Sequence, residues 1–285
     1  MLRQSLRKVF KYPVQIVAAI VNDPVETWIR VQERYDEHRE RRTPIFCYEP
    51  QSDWERLLHN SLGIHWPCEA GAEFNFLWPK VIQPMQEKGI RVGPMGFGSW
   101  NDGDAAMVRA IWCLIAHLKP SNVVETGVGH GVTSRFILEG LEKNRAGHLW
   151  SIDLPPVDPV LRQQVGMAVD KRHHQRWTYI EGSSRRRLPA LLSKIGQVDL
   201  FIHDSLHSER NVRFELDRVW GMLSPGGALV VDDVDANWGF QSFTQTFSSH
   251  LSMVCEAEPL HPDLRRTNKK GMFGIILKTP PSTQG

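Results

Sequence analysis

The chain has 285 residues, of which 41% are apolar and 23% charged, and a formal net charge of +2. Those proportions exclude a wholly disordered or fibrous chain, and the length allows one large domain, or one domain with an appendage. A charge balance this mild gives no electrostatic case for nucleic acid, and none is expected as a partner. Four cysteines, Cys47, Cys68, Cys113 and Cys255, are widely scattered, with no CxxC pair and no Cys/His group at zinc spacing. A disulfide framework is therefore not expected, and a reducing, cytoplasmic compartment is. No apolar run reaches the ~18–20 residues of a membrane span. The longest, Ala105 to Leu118, is broken by Arg109 and His117.

At the start of the chain, Arg3, Arg7, Lys8 and Lys11 precede the apolar run Val14 to Val21. A basic start and a short apolar stretch faintly resemble a signal peptide, but Pro13 interrupts it and no small-residue cleavage pattern follows. The expectation is an amphipathic surface helix packed on the body or on a partner, with a peripheral membrane contact as the weaker reading. Arg30 to Arg42 is dense in charge of both signs, which reads as a solvated helix face with intrahelical pairs. Trp28, Trp54, Trp66 and Trp78 imply that the first 95 residues fold or dock. The glycine-rich stretch Gly93 to Trp100 reads as the joint between this extension, 1–95, and a main domain, 96–285.

The rhythm then changes. A helix over Ala105–Leu118 stops before Pro120. Strands are expected at Asn122–Glu125, His148–Asp153, Trp177–Ile180, Val198–His203 and Ala228–Asp232. Helices are expected between them near Thr133–Leu141, Val160–His173 and Leu188–Lys194, and one more presents Val212, Leu216, Val219, Trp220 and Leu223 on one face. Ser224 to Gly227 reads as the turn ending that helix. A helix near Phe240–His250 follows. Two closing strands, Met253–Glu256 and Met272–Leu277, are joined by a basic loop around Arg265 to Lys270. Alternating strands and helices predict an α/β fold with a doubly wound, mostly parallel, seven-stranded sheet and an antiparallel C-terminal hairpin at one edge. In such sheets ligands sit beyond the carboxyl ends of the strands, so the polar residues there are the ones to read.

The first strand ends in Glu125-Thr126-Gly127-Val128-Gly129-His130-Gly131. Glycines let a backbone turn sharply and pass close to a ligand. The dinucleotide fingerprint GxGxxG fails, because Val132 stands where its third glycine belongs. The pattern instead resembles motif I of the class I S-adenosylmethionine-dependent methyltransferases. That resemblance implies a cofactor site in which Gly127, Gly129 and Gly131 shape the turn and Glu125 orients the methionine moiety. It also places Asp153 on the ribose hydroxyls, a role suited to a carboxylate that accepts two hydrogen bonds, and Gly182 and Ser183 beside the adenine.

Further along stand Val198 to His207, with Asp204 and His207 beyond the strand, then Leu223-Ser224-Pro225-Gly226-Gly227 and Val230-Val231-Asp232-Asp233. Over roughly residues 100–278 the chain resembles the metal-dependent catechol, sugar and macrolide O-methyltransferases. The resemblance implies a divalent cation such as Mg²⁺ held by Asp204, Asp232 and Asp233, and His207 as the base that takes a proton from the acceptor hydroxyl. Three converging carboxylates would repel one another without a cation, and oxygen ligands suit a hard ion. Catechol-type enzymes commonly carry Asn at the third position, so Asp233 departs from the pattern. His130 is expected to line the cofactor loop and His203 to face the core. Asp102 and Asp104 read as helix caps, and Arg185 to Arg187 as a solvated basic run.

The implied activity is methyl transfer from S-adenosylmethionine to a hydroxyl of a small molecule or glycan. A metal-independent enzyme with His207 alone as base, and a non-catalytic or NAD-binding Rossmann-like protein, stay open from sequence, as does a homo-oligomer built on the extension.

Overall fold

The computed structural model describes residues 13–40, 48–93, 96–98, 102–256, 258 and 271–279. Seven strands form one sheet: β1 (Asn122–Thr126), β2 (His148–Asp153), β3 (Trp177–Glu181), β4 (Val198–His203), β5 (Leu223–Val231), β6 (Leu251–Glu256) and β7 (Met272–Leu277). Their order is β3-β2-β1-β4-β5-β7-β6. The first five run parallel, and β7 and β6 close the edge antiparallel. The chain reverses its winding between β1 and β4, which puts the crevice above that pair of strands.

Alternation along the strands feeds two cores. Val123, Leu200, Ile202, Ala228 and Val230 face one side, where they meet helices α5 (Ala105–Leu118) and α6 (Val132–Asn144) and helix α3 (Trp54–Ser61). Val124, Phe201, Leu229 and Val231 face the other, under α8 (Ser184–Ile195), α9 (Glu209–Trp220) and α10 (Gly239–Thr246). Strands buried on both faces read as continuous apolar runs, as these do. A third cluster packs α4 (Glu69–Glu87) through Phe74, Ile82 and Met85 on Trp112 and Phe136.

Four elements differ from the sequence-based expectation. The helix expected over 160–173 is a short α7 (Pro159–Gln164) followed by a separate 3₁₀ turn, Lys171–Arg176. Gly166 sits between them at φ +70° and within contact of the Gly131 turn, so a continuous helix would collide with that turn. Ser224 to Gly227 belongs to β5, which shifts register against β4 there. α10 ends at Thr246, short of His250. Helix α1 (Pro13–Asn22) buries none of its residues, so it does not pack an apolar face on the body. Residues 1–12, Trp100 and the Arg265 to Lys270 loop lie outside the described residues.

The charged helix α2 (Pro24–Glu40) is also turned over. Its buried residues are Glu26, Glu33 and Asp36, while Val25, Trp28, Val31 and Tyr35 are exposed. The acids reach for the starts of two core helices. Glu26 Oε1 accepts the Ser183 N–H at 3.0 Å, and Glu40 Oε2 accepts the Glu209 N–H at 2.7 Å. Arg186 binds Asp23 and Glu26, and Arg210 lies 3.4 Å from Asp36. Unpaired N–H groups at helix starts attract carboxylates, which explains why the acidic face turns inward.

Leu58 of α3 is fully buried in the same cluster as Ile111 of α5 and Phe273 of β7. Leu58→Ala is expected to destabilise the chain by ~2–5 kcal/mol, the usual cost of emptying such a site. Urea unfolding should follow a single transition; a separate early transition for residues 48–93 would refute shared packing.

Candidate active site at the strand tips

At each strand tip the backbone ladder passes to the next strand. Asp204 N–H donates to Thr126 O (2.9 Å), Gly127 N–H to Ile152 O (2.9 Å), Gly182 N–H to Asp153 O (2.8 Å) and Asp232 N–H to His203 O (2.9 Å). The tips of β1, β4 and β5 are thereby drawn close. Gly127 touches the loop after β4: a Cβ at this position would stand 1.9 Å from the Asp204 carbonyl oxygen, and φ is +86°. Only glycine fits, on both counts. Gly129 and Gly131 also take positive φ, and Gly131 backs onto Gly166.

Glu125 lies fully inside. Its Oε2 accepts from Ser134 Oγ (2.6 Å) and Ser151 Oγ (2.7 Å), whereas Oε1 is buried with no hydrogen-bond partner. Burial pushes this carboxyl up to about 7, against the pull of those two hydroxyls. Asp153 is partly buried at the tip of β2. Burial lifts it to about 6, against the N–H of Val128, the charge of Arg30, the N–H of Leu154 and the Tyr179 hydroxyl. Gly182 and Ser183 form the turn after β3, with the Ser183 N–H occupied by Glu26 of α2.

Asp204, Asp232 and His207 come together: one ligand atom from each lies within 4.8 Å of the others. His207 Nε2 is 3.9 Å from Asp204 Oδ1 and 3.8 Å from Asp232 Oδ2. Burial, and then the charges of neighbouring acids, push both carboxyls well above the usual carboxylate range. Asp233 is not part of that trio. It takes a left-handed φ of +49° and sets Oδ2 3.4 Å from His207 Nδ1, on the far side of the ring.

Sequence reading missed two groups. Glu215, in the buried stripe of α9, is fully enclosed. Its carboxylate accepts from Thr126 Oγ1 (2.6 Å), His203 Nδ1 (2.7 Å), Ser205 Oγ (2.8 Å) and Asn211 Nδ2 (3.0 Å). Burial alone would raise it, but the His203 ring and hydrogen bonds from His203, Ser184 and Thr126 hold it at about 2. His203 therefore faces the core as expected, with a partner that its own strand does not reveal. The second group is Asp102, which is paired with the buried His130. Asp104 does cap α5, accepting from Ala106 N–H (2.8 Å). The basic run is solvated only in part: Arg187 is exposed, whereas Arg185 and Arg186 face the acids of α2 and its approach.

Residues 124–234 match the family model of a methyltransferase domain. No curated protein sequence matches the chain. Among solved structures, an O-methyltransferase from Bacillus cereus in complex with SAH is similar at 12% identity and a TM-score of 0.50, covering 78% of this chain and 97% of that one. Cofactor-bound Rv0187 from MTB is similar at 14% identity and a TM-score of 0.50, covering 76% of this chain and 100% of that one. At these identities the likeness is one of fold. By the matched stretch, residues 124–234 form a methyltransferase domain, and the strand order is that of a Rossmann-like methyltransferase fold. Among the described residues, no helix is long and apolar enough to cross a membrane.

Glu215→Ala should cost about 3 kcal/mol, because it strands several donors in a closed interior. The ionised Glu215 contributes stability above its ordinary 4.5, and that contribution is lost as pH falls toward about 2. Glu215→Gln should therefore flatten the acid limb of the stability curve measured by urea unfolding. An unchanged acid limb would refute this assignment.

Proposed function

We propose that the chain transfers a methyl group from S-adenosylmethionine to a hydroxyl of a small molecule or sugar, with a divalent ion of the Mg²⁺ class beside the acceptor. The observation that carries this reading is the meeting of Asp204, Asp232 and His207 next to the glycine turn that follows β1.

The residues fit the donor. Glu125 Oε1, buried without a partner, is an acceptor for a methionine ammonium group. Gly127, Gly129 and Gly131 keep the wall of the crevice free of side chains. Asp153 offers two oxygens to a ribose diol, and Gly182 and Ser183 border the adenine side. A cation is suited to the tip of the sheet as well. Asp204 and Asp232 are neighbouring carboxyls whose burial and mutual repulsion a divalent ion would relieve. Asp233 adds negative charge behind them and stands against Nδ1 of His207. A proton fixed on Nδ1 leaves the Nε2 lone pair toward the acceptor. When bound, the ion supplies stabilisation of the ionising hydroxyl.

His207 receives the hydroxyl proton at Nε2. The acceptor oxygen attacks the methyl carbon, the new O–C bond forms as the C–S bond breaks, and the sulfonium becomes a neutral thioether. Most of the acceleration then comes from aligning oxygen, carbon and sulfur in one enclosed crevice. In this reading the extension contributes a lid through α2, while α3 and α4 are packed into the cores. Arg30 of α2 acts on Asp153, and Glu26 holds the turn at Ser183.

His207→Gln is expected to lower kcat by ~10²–10⁴-fold with the KM for S-adenosylmethionine little changed, as for loss of a general base. A strong chelator should abolish turnover and Mg²⁺ should restore it; turnover indifferent to the chelator would remove the ion and leave His207 acting alone.

The affinity for S-adenosylmethionine should rise as pH passes upward through about 7, where Glu125 ionises. Glu125→Gln should bind roughly tenfold more weakly at pH 8 and lose the pH dependence, in keeping with one charge-assisted hydrogen bond. Calorimetric titration reads both effects, and a pH-independent wild type would refute the role.

A further inference from the structure

A second group of ligating side chains lies away from the strand tips, where the extension meets the body. His59 is near the end of α3, Cys68 is the N-cap of α4, and Cys113 and His117 are one turn apart on α5. Their sequence separations match no zinc spacing, yet the fold gathers them. His59 is 1% exposed. Its Nδ1 lies 2.6 Å from the Glu55 carbonyl oxygen and therefore carries the proton, which leaves the lone pair on Nε2. That Nε2 is 3.0 Å from Cys68 Sγ. One ring nitrogen from each of His59 and His117 and the sulfur of Cys68 all lie within 4.8 Å of one another. His117 Nε2 is buried with no hydrogen-bond partner. Cys113 Sγ is outside that trio and 3.9 Å from the Cys68 sulfur.

From this arrangement we infer that His59, Cys68, Cys113 and His117 form a zinc site that clasps α3 and the start of α4 to α5. Two imidazoles and two thiols are a borderline-soft donor set, suited to Zn²⁺ and ill suited to Mg²⁺ or Ca²⁺. The backbone carbonyl on Nδ1 of His59 is the outer partner that a ligating histidine ordinarily has, and it fixes the tautomer that ligation requires. Two sulfurs ~2.3 Å from one zinc at a tetrahedral angle stand about 3.8 Å apart, close to the 3.9 Å between Cys68 and Cys113. A nitrogen and a sulfur on the same ion stand about 3.6 Å apart. The 3.0 Å contact of His59 with Cys68 would thus open by about half an ångström on filling. Access is available, because a surface recess lined by Ile64, Pro67, Cys68, Ala70 and His117 leads to the cluster.

The site is independent of the methyl-transfer reading, and its test separates the two. The full chain, purified without a metal-affinity tag and dialysed against equimolar Zn²⁺, should retain about one zinc per chain by elemental analysis. Cys68→Ala and His117→Ala should each lose it, while Asp204→Asn keeps it. Because those variants could unfold, the wild type provides the second measurement. Replacing the metal with Co²⁺ should give the intense visible bands of a tetrahedral ion and a near-ultraviolet thiolate charge-transfer band. Stripping the metal should lower Tm by at least ~5 °C. A wild type that retains no zinc and shows no thiolate-to-cobalt band would overturn the proposal. So would zinc that survives Cys68→Ala and disappears in Asp204→Asn.

Discussion

Contact between the ends of β1 and β4 governs this molecule. Gly127 lies so near the Asp204 carbonyl that no side chain could intervene. The carboxylate of Glu215, behind both, takes hydrogen bonds from Thr126 on one strand and from His203 and Ser205 at the end of the other. One buried anion thus fixes the positions of the residues on either side of Asp204. A partly satisfied buried network would be worse than an apolar one. This one is well satisfied, which is why a carboxylate can sit on the buried face of α9, beside Asn211 and among Val212, Leu216 and Val219.

The groups that line the crevice are treated in the opposite way. Glu125, Asp153, Asp204 and Asp232 are all held above the ordinary carboxylate range by burial. Each would ionise more readily if a positive charge came beside it. Clustering of shifted groups in one crevice is the expected mark of a functional site. The contrast with Glu215, held at about 2, separates the acids that fasten the scaffold from the acids that await a partner. It supports a reading in which the ligands are cationic: a sulfonium with an ammonium group, and a metal ion.

Much of this was legible in the sequence because strands buried on both faces leave continuous apolar runs, and because polar residues just after such runs can only fall at one end of the sheet. That pattern places the acid–glycine turn, Asp153, Asp204 and Asp232 at strand ends, while the roles given to them are what the resemblance to methyltransferases implies. Other features were hidden for definite reasons. Glu215 sits at a helical spacing that a solvated face would also produce, and only the fold shows that Thr126 and His203 lie opposite. The run 160–173 looked like one helix because its break at Gly166 is forced by contact with Gly131, a residue far away along the chain. His59, Cys68 and His117 have no local spacing to read, since three different helices supply them.

Helix α2 shows a further limit of pattern reading and what lies behind it. A helix with a charged stripe and an apolar stripe is expected to bury the apolar one. Here the bound surface is not apolar. It consists of helix N-termini and the arginines Arg185, Arg186 and Arg210, so the acids are drawn inward and Trp28 and Tyr35 are left outside. Such a contact is held by charge-assisted hydrogen bonds and ion pairs, which salt screens, and scarcely by hydrophobic area. α3 and α4 differ in kind, because Leu58, Trp54 and Phe74 are embedded in the cores. The N-terminal extension therefore divides physically at the segment between α2 and α3. Its second part cannot leave without opening the core, whereas α2 can be released by breaking polar contacts alone, and those contacts lie directly over the turn at Ser183 and beside Asp153.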